Sequence, residues 1–153
     1  MIQRIQSVYL FSALVLVLLM FFYPIANILG KAHEFYAFGI KNVMNVDTGE
    51  IVLQNIPLVI LFAVIAVLIF GSIFLYKKRV LQMRVVIYAM LLLVGSLGLT
   101  YYYLTQTMKQ LDAPNYSFEL AVTFPLVAII LLYLAFRGIR RDELLVRSIN
   151  RIR

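Results

Sequence analysis

Few side chains in this chain have the chemistry to act. His33 and Glu34 stand together, and Asp47 and Glu50 follow in the same polar segment, 30–55. One imidazole and three carboxylates are possible metal donors. A zinc site, however, wants three or four ligands at set spacing, and nothing in this stretch fixes that spacing. We read it as a solvated loop with a turn. The chain has a single His and no Cys, so a histidine cluster, a thiolate site and a disulfide are all excluded. Asp142 and Glu143 are adjacent within an arginine-rich end. Glu143 precedes Arg147 by one helical turn, the favourable order for an ion pair, so this pair reads as counter-charge rather than as an acid and a base. There is no Ser/His/Asp set, no Gly-rich phosphate loop and no H-E-x-x-H. The expectation is a protein that is not an enzyme, with no cofactor and no metal.

The elements around these residues are apolar. Of 153 residues, 63% are hydrophobic and 14% charged, and mean hydropathy is +0.94. Soluble domains hold roughly 45–50% apolar residues. About 20 apolar residues cross the roughly 30 Å of bilayer hydrocarbon. Four stretches predict spans at about 7–29, 56–76, 85–104 and 120–136, and none of them contains Asp, Glu, Lys, Arg or His. Tyr and Phe gather at their ends, as suits the headgroup level. The first stretch is too long for the h-region of a cleaved signal peptide, about 7–15 residues. Lys and Arg set the orientation. Eleven of the fourteen fall on one side, namely Arg4, Lys77, Lys78, Arg79, Arg84 and the six Arg of 137–153; Lys31, Lys41 and Lys109 fall on the other. This predicts cytoplasmic termini, with outer loops at 30–55 and 105–119. The segment "DTGE" between β-branched residues predicts a β-hairpin in the first outer loop. The second outer loop reads as irregular. Together these predict one all-α membrane domain over 1–153: a four-helix transmembrane bundle with one extracytoplasmic hairpin and a cytoplasmic amphipathic C-terminal helix.

Ion-coupled transporters keep ionisable groups inside the membrane, and these spans have none. The small residues Gly95, Ser96, Gly98 and Thr100 mark a helix-packing face, either within the chain or for another membrane protein. The tail "RGIRRDELLVRSINRIR" continues the fourth span as a basic amphipathic helix, with Gly138 as a candidate bend. Its candidate docking residues are Arg140, Arg141, Leu145, Arg147, Ile149 and Arg151, facing anionic lipid headgroups or a membrane or cytosolic protein. Nucleic acid is disfavoured, because the positive-inside bias already accounts for the charge.

Three segments carry a family resemblance: "MIQRIQSVYL", "LYKKRVLQMR" and the tail itself. They resemble a family of small bacterial inner-membrane proteins known as a domain of unknown function, common in one Gram-negative phylum. The similarity extends over the whole chain, with the termini its most specific parts. Asn150 departs from that family's pattern, which favours Asp there. The resemblance implies four spans in the inner membrane and brings no activity, cofactor or catalytic residue. The expected role is an accessory or scaffold subunit of an inner-membrane complex. The alternative is a small transporter or channel for a neutral or apolar solute, which would need a lined cavity near Ser96, Thr100 or Tyr88.

Overall fold

A computed structural model describes residues 2–30, 34–113 and 115–150, with backbone alone at 2–4, 77 and 147–150. The chain runs α1 (Ile2–Leu19), β1 (Ala26–Leu29), β2 (Phe35–Phe38), β3 (Asn42–Asn45), β4 (Ile51–Gln54), α2 (Ile56–Phe74), α3 (Arg79–Gln110), β5 (Asn115–Phe118) and α4 (Phe124–Asn150). Short 3-10 turns at Leu75–Lys77 and Leu120–Thr123 lead into α3 and α4. The helices pack in a ring, α1 on α2, α2 on α3, α3 on α4 and α4 on α1. The strands form one antiparallel sheet in the order β4-β3-β2-β1-β5. The architecture is therefore mixed α/β. The expected all-α four-helix bundle with one hairpin is overturned by this sheet.

The physical reason lies at Pro24. Proline lacks an N–H and disfavours helical geometry in the residue before it. Helix α1 ends at Leu19, and the apolar run "PIANIL" continues as a strand, not as the outer part of a span. Ala26 and Ile28 are fully buried while Asn27 and Leu29 are half-buried, the alternation of a pleated strand. Strand β1 pairs on one side with β2, Ile28 opposite Tyr36, and on the other with β5, Ile28 opposite Tyr116. A central strand lined by apolar residues reads in sequence much like the tail of a span. Strand β5 replaces the irregular loop expected at 105–119.

The expected hairpin is present as β3–β4, with Val43 opposite Leu53 and a bulge beside it. Its turn is held by Asn45, whose Oδ1 accepts the N–H groups of Asp47 (2.9 Å) and Thr48 (3.3 Å). Gly49 takes φ +72 there, the left-handed region that glycine enters without strain.

Among the described residues, three helices are long and apolar enough to cross a membrane: Ile56–Phe74, Arg79–Gln110 and Leu120–Val146. The apolar part of α1, Ile5–Leu19, is shorter. At 1.5 Å per residue α3 reaches about 48 Å and α4 about 40 Å, so both outrun a hydrocarbon core of about 30 Å. The ring is filled by Leu10, Ala13, Val17, Phe62, Ile65, Ile69, Ala89, Leu93, Ala128 and Leu132. Its outside is apolar too, with Val67, Phe70, Leu91, Val94, Ile130 and Tyr133 each more than half exposed. Helices that are apolar all round belong in a large core or a bilayer.

Candidate functional site

The helix ends away from the sheet carry the clustered polar groups. Gln6 on α1 and Asp142 on α4 are both buried, and Gln6 Nε2 donates to the Asp142 carboxylate at 2.7 Å. From α3, Arg79 Nη1 donates to the backbone carbonyl of Asp142 at 3.0 Å. Gln82, also on α3, donates through Nε2 to the carbonyl of Ser72 on α2 at 3.0 Å. All four helices are thus tied at one level. Buried polar groups are tolerated because each has a partner; leaving one unmet costs about 1–3 kcal/mol.

Gly138 explains how α1 and α4 come close enough. A Cβ there would lie 2.9 Å from Gln6 Cγ, closer than side chains pack. Helix α4 runs unbroken from Phe124 to Asn150, so the tail is continuous with the fourth apolar helix and Gly138 lies inside it. Glycine serves here for its missing side chain, not for its backbone freedom.

Beside this knot lies a cleft of about 600 Å³ between the start of α3 and the end of α4. Lys78, Arg79, Val80, Leu81 and Arg84 line one wall, and Glu143 and Val146 the other. Helix α3 starts without a side-chain cap and without an acidic residue in its first turn. Its first N–H groups lack intrahelical partners, and its dipole adds positive potential to the cations.

The candidate docking residues fall as follows. Arg140 and Arg141 are exposed on α4, and Leu145 is 51% exposed. Arg147 and Ile149 lie on the same helix with their side chains outside the described residues; Arg151 lies outside altogether. Leu144 (58% exposed) and Val146 extend the apolar surface. Of the packing set, Ser96 is fully buried and its hydroxyl donates back to the Leu93 carbonyl at 2.7 Å. Gly95 and Gly98 face outward with open space where a Cβ would stand. Thr100 lines an apolar crevice of about 190 Å³ with Met20, Ile25, Leu104 and Phe118.

At the sheet end, His33 lies outside the described residues. Glu34 accepts hydrogen bonds from the Tyr36 hydroxyl and from Asn45 Nδ2. The carboxylate of Glu34 raises the Tyr36 pKa, because a phenol that donates to an anion resists losing its proton. Asn27 Nδ2 donates to Glu119 at 2.6 Å, linking β1 to the approach to α4. Among the described residues no three His, Cys, Asp or Glu side chains gather as a metal site.

Sequence reasoning missed Gln6 and Gln82, whereas the reading of Asp142 and Glu143 as counter-charge agrees with Glu143 facing Lys78, Arg79 and Arg84 across the cleft. One signal was legible. Cations at a helix N-terminus oppose the dipole, so "KKR" just ahead of a long apolar helix asks for a compensating anion.

These features define a class: a four-helix protein capped by a small antiparallel sheet at one end and tied by a buried polar knot at the other. The family model described as "Domain of unknown function (DUF4293)" matches residues 2–152. The chain belongs to that family, as its terminal segments implied. No curated protein matches it.

Proposed function

We propose that the chain is an integral protein of a bacterial inner membrane, with its basic end in the cytoplasm and its sheet outside. In this reading it is not an enzyme. It is an accessory or scaffold subunit that docks a partner of a membrane complex through the C-terminal half of α4. One observation carries the reading: this helix end is held in place and still presents an uncovered surface. Asp142 and Ile139 are buried against the bundle, while Arg140, Arg141, Leu144 and Leu145 face out. A docking surface already ordered loses less entropy on binding. Gly95 and Gly98, open on α3, offer a close approach for a second membrane helix. Orientation follows from charge, with Lys78, Arg79, Arg84, Arg137, Arg140 and Arg141 at the basic end against Lys41 and Lys109 at the other.

The solute-carrier alternative gains the crevice at Thr100. The apolar filling of the ring favours the accessory role. Purification from native membranes in mild detergent tests it, with wild type beside Leu144→Ser/Leu145→Ser. The expected result is one reproducible partner that the double variant loses. A wild-type protein that emerges alone, or a partner retained equally by both, overturns the reading.

A further inference from the structure

We propose that the cleft between the start of α3 and the end of α4 binds the phosphate headgroup of an anionic phospholipid. The proposal rests on the chain being membrane-embedded, but not on any protein partner. Among the described residues that line the cleft, Lys78, Arg79 and Arg84 face one carboxylate, that of Glu143. Three cations against one carboxylate leave the lining net positive, which favours an anionic ligand. Arg79 is held by its bond to the Asp142 carbonyl, so one cation is set in place before any ligand arrives. The uncapped α3 N-terminus adds to the same potential. A volume of about 600 Å³ is ample for a headgroup, and ligand pockets run from about 300 to 1,000 Å³.

The lining identifies an amphiphile rather than a free phosphate. Val80 and Leu81, 40% and 45% exposed, share the cleft with the cations. Along α3 the exposed apolar surface continues from Leu81 through Tyr88, one turn beyond Arg84 and 57% exposed. A phosphate seated at Lys78 and Arg84 would leave its glycerol and acyl chains against these residues. Water-soluble phosphates have nothing to place there.

Full-length protein in a neutral detergent, titrated with phosphatidylglycerol or phosphatidylcholine and read by native mass spectrometry, tests the site. The anionic lipid should be retained in preference to the zwitterionic one. Lys78→Gln/Arg84→Gln should weaken retention about thirtyfold, from about 1 kcal/mol per surface cation. Lys41→Gln/Lys109→Gln, which removes the same charge at the sheet end, should leave it unchanged. If the first variant loses its helical circular dichroism, Lys78→Arg/Arg84→Lys takes its place and should keep the lipid. Equal retention of both lipids, an unchanged Lys78→Gln/Arg84→Gln, or an equal loss in the sheet-end control overturns the proposal. Competition by glycerol phosphate at the lipid's own concentration overturns the lipid in favour of a soluble anion. Resistance to alkaline extraction from membranes reads the membrane assignment separately.

Discussion

At the sheet end, distant segments meet through backbone ladders: β1 pairs with β5 from Ala26–Phe118 to Leu29–Asn115. At the basic end they meet through individual side chains. Gln6 reaches Asp142 across 136 residues of chain, Arg79 reaches the Asp142 carbonyl, and Gln82 reaches Ser72. A ladder uses groups that nearly every residue carries, so it tolerates substitution on its exposed face. A side-chain knot depends on a few residue types. The sheet end should therefore fail when its buried side chains are cut, and the basic end when its polar partners are separated.

The largest effect expected is at Phe38, fully buried beneath the sheet. Phe38→Ala should cost about 3–5 kcal/mol, as for other large core truncations. Val52→Ala on the exposed strand β4 should stay within about 0.5 kcal/mol. Denaturant unfolding of the detergent-solubilised protein measures both. Similar costs for the two would dissolve the distinction between buried and ladder-borne stability.

At the other end Asp142→Leu should cost about 1–3 kcal/mol, because it strands the buried Gln6 amide. Adding Gln6→Leu should recover much of that loss, since removing both partners leaves no unmet polar group. A double-mutant cycle reads the coupling. Strict additivity of the two substitutions would mean that the knot is not a unit.

Much of the helix layout was legible in sequence. The span expected at 56–76 is α2, Ile56–Phe74, and those expected at 85–104 and 120–136 lie within longer apolar helices. Length and uninterrupted hydrophobicity are local properties, and so are turn residues, which is why "DTGE" revealed β3–β4. Strand β1 was hidden because its apolar residues continue those of α1 without a gap. Strand β5 was missed because "NYSF", though it alternates polar and aromatic residues, is only four residues long, follows Pro114 and opens on Asn115, both turn residues. The knot was hidden for a different reason. Gln6 and Gln82 have no local pattern, and only the approach of α1 to α4 and of α3 to α2 gives them a role.

The smallest effect separates the ends by pH. The Tyr36 hydroxyl donates to Glu34, which raises its pKa above the ordinary tyrosine value. The folded state thus favours the neutral phenol. Its contribution is complete below the unfolded tyrosine pKa and is lost as pH rises through the raised folded value. Alkaline pH should loosen β2 and β3 before the Gln6–Asp142 contact, as hydrogen exchange would show. Tyr36→Phe should cost about 1 kcal/mol at neutral pH and remove this sensitivity. Equal alkaline sensitivity in Tyr36→Phe would place its source elsewhere.

The pairing of β1 with β5 constrains the order of assembly. A chain leaving the ribosome can form β1, β2 and the β3–β4 hairpin early, since these are neighbours in sequence. The other edge of β1 must wait until α2 and α3 have both been made. Until then that edge carries unpaired backbone groups beside apolar side chains, open to any other strand. Strand β5 is thus a clasp, closed only when three of the four helices exist. A nascent chain stalled before residue 115 would expose the same edge to a second copy, and chain-to-chain crosslinking through Asn27→Cys should appear in stalled chains and vanish in finished ones.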